Sequence, residues 1–473
     1  MTPLTAVHRS RMERQHDPRD GRRRYGKKIW AGSAGNMVEW FDWFVYASFA
    51  PYFASAFFPE GDATAQLMNT AGVFAVGFFL RPAGGWLLGR VADRRGRKAA
   101  LTLTVSLMSA SALLLALAPT YGVAGYGGAA VLLLARLLQG LSVGGEYAAG
   151  ATYLTEAAPP HRRGFASSFQ YVSMTLGQIL GPALLLLLQH TLSDAALHGW
   201  GWRVPFAVGA LGAGVVLRLR RSLLETEVYA RDGAGAAGGA HAGPGDRGAL
   251  RALLRHKREA LLVVALTVGG TVAYYTYTTY LTRYLANTAG LPPRTATLVS
   301  LVALLVFAAL QPLAGALSDR VGRRPLLITF ALGSAFLTVP LLTLLARARS
   351  FWPALGLSLV ALLVVTGYTS VNACVKAELF PTGVRALGVA LPYALANAAF
   401  GGTAEYVALW FRNAGLEGGF AWYVAGCAAV SLLVYATMRE TRDLDLARVT
   451  APPSPPPAGE TGATAPASPR TAS

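Results

Sequence analysis

Hydrophobic positions in this chain neither alternate nor follow a single helical stripe. They fill stretches of about 20 residues or more, the length an α-helix needs to cross roughly 30 Å of hydrocarbon. Six such stretches cover residues 29–56, 66–90, 98–118, 126–153, 166–190 and 202–220. Six more cover 259–287, 295–317, 325–345, 352–378, 385–412 and 419–438. Lipid offers the backbone no hydrogen-bond partner, so each stretch is predicted to be a helix that satisfies itself. The first is too long, and too polar at its centre, for a cleaved signal peptide.

Composition supports this pattern. Of 473 residues, 53% are hydrophobic and 14% charged, against about 25% charged in an ordinary soluble domain. A large soluble protein with buried helices would need more charged surface. The net charge of +18 would suggest nucleic acid if it formed one patch. Instead nine Lys and Arg residues lie between Arg9 and Lys28. Others cluster at Arg90–Lys98, Arg162–Arg163, Arg218–Arg221, Arg247–Arg258, Arg320–Arg324 and Arg439–Arg442, all on one side if the spans alternate. The opposite loops 57–65, 119–125 and 191–201 contain neither residue. This positive-inside bias puts both termini in the cytoplasm of a multi-pass inner-membrane protein, with lipid as the partner of the basic loops and no nucleic acid.

The expected organisation is a basic cytoplasmic arm (1–28), a six-helix bundle (29–220), a Gly- and Ala-rich cytoplasmic linker (221–258), a second six-helix bundle (259–438) and a disordered Pro-rich tail (439–473). The fold class is all-α integral membrane, twelve helices in two pseudo-symmetric bundles. Cys374 and Cys427 lie inside predicted spans and read as packing residues. No metal-ligand spacing, nucleophile–base set or phosphate-cradling loop occurs, so neither a metal, a cofactor nor an enzyme activity is expected.

The two halves repeat one another. Gly89-Arg90-Val91-Ala92-Asp93-Arg94-Arg95-Gly96-Arg97-Lys98 follows the second span, and Gly315-Ala316-Leu317-Ser318-Asp319-Arg320-Val321-Gly322-Arg323-Arg324 follows the eighth. Both fit G-x-x-x-D-R-x-G-R-[KR], offset by 315 − 89 = 226 residues. Glu156 with Arg163, and Glu378 with Arg385, form a second matched pair at an offset of 378 − 156 = 222. Two landmarks at nearly one offset indicate duplication. In each loop the first glycine (Gly89, Gly315) allows helices to approach. The second (Gly96, Gly322) permits a tight turn with φ > 0. The aspartate (Asp93, Asp319) can accept from the N-terminus of a neighbouring helix. The cations Arg94, Arg97, Arg320 and Arg323 hold the loop at the lipid surface. Together they read as a conformational latch.

This loop is the signature of the major facilitator superfamily, which the chain resembles. Gly35-Asn36-Met37-Val38-Glu39-Trp40-Phe41-Asp42, Phe79-Leu80-Arg81-Pro82-Ala83-Gly84-Gly85 and Arg136-Leu137-Leu138-Gln139-Gly140 through Gly144-Gly145-Glu146-Tyr147 are similar to its metabolite:proton symporter branch. Gly199 to Phe206, Tyr277 to Tyr280, Asn287 to Gly290, Gln311 to Leu313, Val384 to Gly388 and Ala396 to Val407 resemble most the members that carry α-ketoglutarate. The likeness runs from about residue 29 to 438 and departs at Arg95, where a histidine would be expected. It implies proton-driven import of a small organic acid by a monomer whose two bundles rock around a central site.

Charges within the spans carry the candidate chemistry, because a charge at the bilayer centre costs roughly 2.5–3.5 kcal/mol and must be paired or functional. Arg81 and Arg203 are candidate contacts for a substrate carboxylate, suited to it by the planar guanidinium fork. Arg203 also reads as an interfacial anchor beside Trp200 and Trp202. Tyr46, Tyr277, Tyr280 and Asn397 are candidate cavity donors. None of the seven histidines falls at mid-membrane, so a carboxylate must carry the proton: Asp42 first, then Glu39 and Glu146, with Arg136 as a coupling partner. Lys376 reads as a snorkelling or salt-bridge residue, and Glu405 as interfacial. Import of α-ketoglutarate is the leading expectation. Shikimate or citrate comes next, and an osmolyte such as proline or betaine last, because osmosensing members carry a C-terminal coiled coil.

Overall fold

The computed structural model describes residues 18–58, 63–221, 251, 253–444 and 446, and its regular structure is entirely helical. The first half contains α1 (Pro18–Phe57), α2 (Ala63–Phe79), α3 (Arg81–Arg95), α4 (Arg97–Leu117), α5 (Tyr126–Ala157), α6 (Arg163–Thr191) and α7 (Val204–Arg221). The second contains α8 (Lys257–Tyr275), α9 (Leu281–Asn287), α10 (Pro293–Val321), α11 (Arg323–Arg347), α12 (Phe351–Thr369), α13 (Asn372–Glu378), α14 (Arg385–Ala396), α15 (Ala404–Asn413) and α16 (Glu417–Thr437). Four crossings are composite: α2 with α3, α8 with α9, α12 with α13, and α14 with α15. Among the described residues twelve crossings result, aligned with the twelve apolar stretches.

The breaks have local causes. Pro82 in the first turn of α3 lacks an N–H and its ring displaces the carbonyl four residues back, so the second crossing is interrupted at Leu80. The Gly84 amide returns at once to the Leu80 carbonyl, at 2.9 Å. Single π-turns, Thr276–Tyr280 and Asn397–Gly401, interrupt the seventh and eleventh crossings; such turns recur where a helix redirects side chains toward a site.

Among the described residues, ten helical stretches are long and apolar enough to span a bilayer, and the first two crossings are not among them. The causes differ: charge in α1, and in the second crossing the break at Leu80, which leaves α2 and α3 at 17 and 15 residues. α1 carries Glu39 and Asp42, and Arg81 sits at the junction of the 17-residue α2 with α3.

Within the halves, α1 packs on α6, α4 and α3 on α5, α11 on α16 and α10 on α12. The halves meet along two long seams, α6 against α10 and α3 against α14. In crossings these are five against eight and two against eleven, a pair that the duplication exchanges. Residues 439–444 and 446 do not follow the disordered tail expected from sequence. Glu440 accepts from the Arg323 and Arg324 amides at 2.8 and 3.0 Å, capping α11. Burial alone would raise this carboxyl, but four backbone N–H donors outweigh it and hold it below its ordinary range. The expected arm is helical from Pro18 on, and most of the expected linker lies outside the described residues.

A cavity between the two halves

Small residues set the position of Arg81. A Cβ on Gly144 of α5 would lie 2.8 Å from the Gly85 nitrogen, so α3 and α5 touch backbone to backbone. With that side blocked, the Arg81 guanidinium lies on the α1 side, 4.3 Å from the Trp43 ring centre and 4.0 Å from that of Phe78. Arg81 is buried, yet none of its three guanidinium nitrogens makes a hydrogen bond. It lines a cavity between the halves with Asn36, Glu39 and Trp40 of α1, Tyr147 of α5, Tyr393 of α14 and Asn397 of the second π-turn. Asn36 is itself fixed to α6, donating to the Gln170 carbonyl and Ser173 Oγ, both at 2.8 Å.

The candidate carboxylates have three different environments. Glu39 faces the cavity and accepts from Ser142 Oγ at 2.8 Å. Asp42, one turn outward, is buried with both oxygens free of hydrogen bonds and packs against Gly209 of α7. Glu146 is held by Arg220 of α7 in a two-pronged ion pair, with Thr104 as a further donor. Arg220 entered the sequence reading only as one of a basic cluster at a helix end. Its depth comes from α7 lying against α4, which turns Arg220 inward while Arg218 and Leu219 stay exposed. Arg136 lies fully buried 3.5 Å from the Tyr46 ring centre and 5.1 Å from Trp43, and also donates to Gln139. The Trp43 indole thus stands between two guanidiniums.

Not every expected side chain reaches this cavity. Arg203 donates to the Ala116 and Ala118 carbonyls at 3.0 and 2.7 Å and lies over Trp202, so it closes the end of α4 rather than meeting a substrate there. Tyr46 donates to the Thr70 carbonyl at 3.0 Å, one layer out. Tyr277 is buried in the core of the second half, and Tyr280 packs edge-on against Phe420. Glu405 pairs with Arg283, joining the eleventh crossing to the seventh. Cys374 donates to Glu378 at 3.0 Å, a polar contact in addition to packing.

Below the cavity, Tyr147 and Tyr393 stack across the seam at 3.7 Å with 12° between their planes. Behind them lies Lys376 of α13. It neither snorkels nor forms a salt bridge: the side chain is fully buried, and its Nζ contacts neutral oxygens only, the nearest being Asn372 Oδ1 at 3.0 Å. The sequence placed it near a helix end because α13 is the end of its span; the loops of both halves cover that end.

The duplicated loops close the same face. Asp93 accepts from the Ala386 and Leu387 amides at the start of α14, at 3.0 and 2.9 Å. Asp319 accepts from the Gly164 and Phe165 amides at the start of α6, both at 2.9 Å. Each aspartate therefore spans the seam to a helix N-terminus of the other half. Gly96 and Gly322 have φ of 95° and 106°, and Gly89 and Gly315 lie against Leu387 and Gly164. Glu156 takes Arg97 of its own half at 3.0 Å and Arg385 of the other at 2.7 Å. The equivalent Glu378 lies 3.9 Å from Arg323, while Arg163 donates to the Leu444 carbonyl. The cations Arg94 and Arg320 are the remaining members of the loops.

Two matched bundles, joined by reciprocal loops around a central polar cavity, agree with what known proteins show. A family model described as Major Facilitator Superfamily matches residues 32–404. The chain belongs to this superfamily. It is a multi-pass membrane transporter rather than an enzyme. It is 49% identical over 411 residues to the alpha-ketoglutarate permease of Escherichia coli (strain K12), covering 86% of this chain and 93% of that protein. It is 34% identical to the citrate-proton symporter of Klebsiella pneumoniae, covering 78% of this chain and 82% of the relative. The solved structure of the proton:xylose symporter XylE, bound to 6-bromo-6-deoxy-D-glucose, superposes with a TM-score of 0.75 at 19% identity. That match covers 90% of this chain and 98% of XylE, a likeness of fold.

Proposed function

We propose that this transporter imports α-ketoglutarate with protons by alternating access, acting as a monomer with both termini in the cytoplasm. The observation that carries the reading is Arg81: a buried guanidinium, without a hydrogen bond to any nitrogen, facing a cavity that both halves line. A buried cation over aromatic faces, with its N–H donors unused, is a ready partner for a carboxylate, and the fork geometry suits one. Asn397 supplies a neutral donor opposite it. The 49%-identical permease supports the substrate, and the citrate-proton symporter supports the coupling ion. Citrate is the second reading, on the strength of that relative.

Protons are assigned to Asp42 and Glu39. Both carboxylates lie on α1 within reach of the cavity and its outer layer, and neither is locked in an ion pair as Glu146 is. Arg136 is the cation that senses the charge of Asp42. The Asp93 and Asp319 loops latch the cytoplasmic face, and their release opens it.

The test is uptake of labelled α-ketoglutarate into liposomes containing the purified protein, with and without an inward proton gradient, against unlabelled citrate, shikimate, succinate and betaine. Gradient-driven accumulation blocked best by α-ketoglutarate is the expected result. Stronger displacement by citrate would transfer the substrate, and uptake indifferent to the gradient would remove the proton.

A further inference from the structure

Lys376 is a buried cation whose surroundings supply no anion. Its Nζ lies 3.0 Å from Asn372 Oδ1, 3.3 Å from Tyr368 Oη and 3.4 Å from Tyr147 Oη. The Tyr393 and Tyr147 rings stand 4.4 and 5.3 Å away. The carboxylate two residues on, Glu378, points away toward Cys374 and Arg323. Among the described residues of the first half, Glu146 pairs with Arg220, and Glu39 shares a cavity with Arg81. Lys376 has no carboxylate beside it among the described residues, and burying an ammonium without a counter-charge is strongly unfavourable. Such a group is retained where an anion arrives to complete it.

The place of Lys376 fits that role. Tyr147 and Tyr393 line the cavity that holds Arg81, and the same two rings form the near wall around Lys376. They belong to opposite halves, so their stack opens whenever the seam moves. Asn372 Oδ1 already accepts from the Tyr147 hydroxyl at 2.5 Å; once that hydroxyl withdraws, the ammonium faces the cavity.

We propose that Lys376 is a second anion subsite, binding the distal carboxylate of a dicarboxylate whose other end is held by Arg81. Arg81 belongs to the first half and Lys376 to the second. A dicarboxylate therefore joins the halves in a way that a monocarboxylate or a zwitterion cannot, and its binding energy is tied to their relative position. This inference rests on the import of an organic acid proposed above and specifies its class.

The experiment compares 2-oxoglutarate with 2-oxopentanoate, which keeps the 2-oxo acid and lacks the distal carboxylate. Binding is measured by calorimetry on the full chain in detergent, for wild type, Lys376→Met, Lys376→Gln and Lys376→Arg. Wild type should prefer the dicarboxylate. A neutral variant should lose about 10- to 100-fold in 2-oxoglutarate affinity, the range for one charged hydrogen-bonded contact. Its preference should fall toward unity, while Lys376→Arg keeps most of it. Gel filtration selects whichever neutral variant remains monodisperse. A neutral variant that keeps the wild-type preference, or weakens both acids equally, overturns the proposal. Should wild type ignore 2-oxoglutarate but distinguish succinate from butyrate, the substrate reading falls and Lys376 is judged on that pair. Wild type that prefers no dicarboxylate over its monoanion overturns the proposal itself.

Discussion

Arg81 and Asp42 are buried charges of opposite sign, and each lacks hydrogen bonds for a different reason. Arg81 faces the cavity across which a substrate must move, whereas Asp42 is shut against Gly209. Arg81→Ala should abolish α-ketoglutarate binding in a protein that still purifies monodisperse; ordinary affinity, measured by calorimetry, would exclude it from the site. Asp42→Asn should preserve exchange of internal for external substrate but stop uphill accumulation, and a counterflow assay run beside gradient-driven uptake separates the two. Glu146 and Arg220 behave as a structural pair. Arg220→Met should destabilise by about 3–5 kcal/mol, because it strands a buried carboxylate. The double variant with Glu146→Leu should recover most of that loss in thermal unfolding. At this scale the sequence reveals Arg81, Glu39 and Asn397 because a polar group in an apolar run stands out. It conceals Lys376 and Arg220, since depth depends on which helices cover a span's end. Tyr277 and Tyr280 could not be sorted from sequence: an aromatic-rich helix shows no polar face to mark the cavity side.

Helices were the most legible level. The twelve apolar stretches align with the crossings, because length and hydropathy alone specify a membrane helix. What length cannot show is where a crossing breaks. Pro82 announces its own break, but the π-turns at Thr276–Tyr280 and Asn397–Gly401 contain no residue that compels them. The turn between α3 and α4 is a sharper case. Gly96 has φ 95° and ψ 161°, a region essentially restricted to glycine. Gly96→Ala should therefore cost about 1–3 kcal/mol, visible as a lowered unfolding temperature. Gly322→Ala should cost more, as φ 106° and ψ 165° there are nearly the same and its Cβ would also lie 2.6 Å from Glu440 Oε2.

Across the whole molecule, the repeated loops convert an internal duplication into a closure. Asp93 and Asp319 each bind two amides across the seam, so Asp93→Asn should weaken one of two equivalent fastenings. The expected outcome is greater labelling of cysteines placed along the loop-covered end of α14, with a further increase in the Asp93→Asn, Asp319→Asn double variant. The layer of charge around them is less even. Glu156 joins cations from both halves at 3.0 and 2.7 Å, whereas Glu378 has one at 3.9 Å. Glu156→Gln should therefore open the face more than Glu378→Gln in the same assay. The sequence revealed the paired landmarks but not this difference: Arg385 donates both to Glu156 and to the Leu446 carbonyl, whereas Arg163 donates to the Leu444 carbonyl and leaves Glu378 to Arg323.

The polarity of the first two crossings also bears on how the chain is made. α1 and the α2–α3 pair emerge from the ribosome first, the one carrying two mid-span carboxylates and the other broken at Leu80 beside Arg81. Glu39 meets its hydrogen-bond donor, Ser142 of α5, only when a later helix arrives, whereas the Arg81 guanidinium lies against Trp43 and Phe78 of the leading crossings themselves. The Glu39 carboxylate is thus completed only once the fourth crossing has been synthesised, so this charge is settled by assembly of the half as a unit rather than by its own helix.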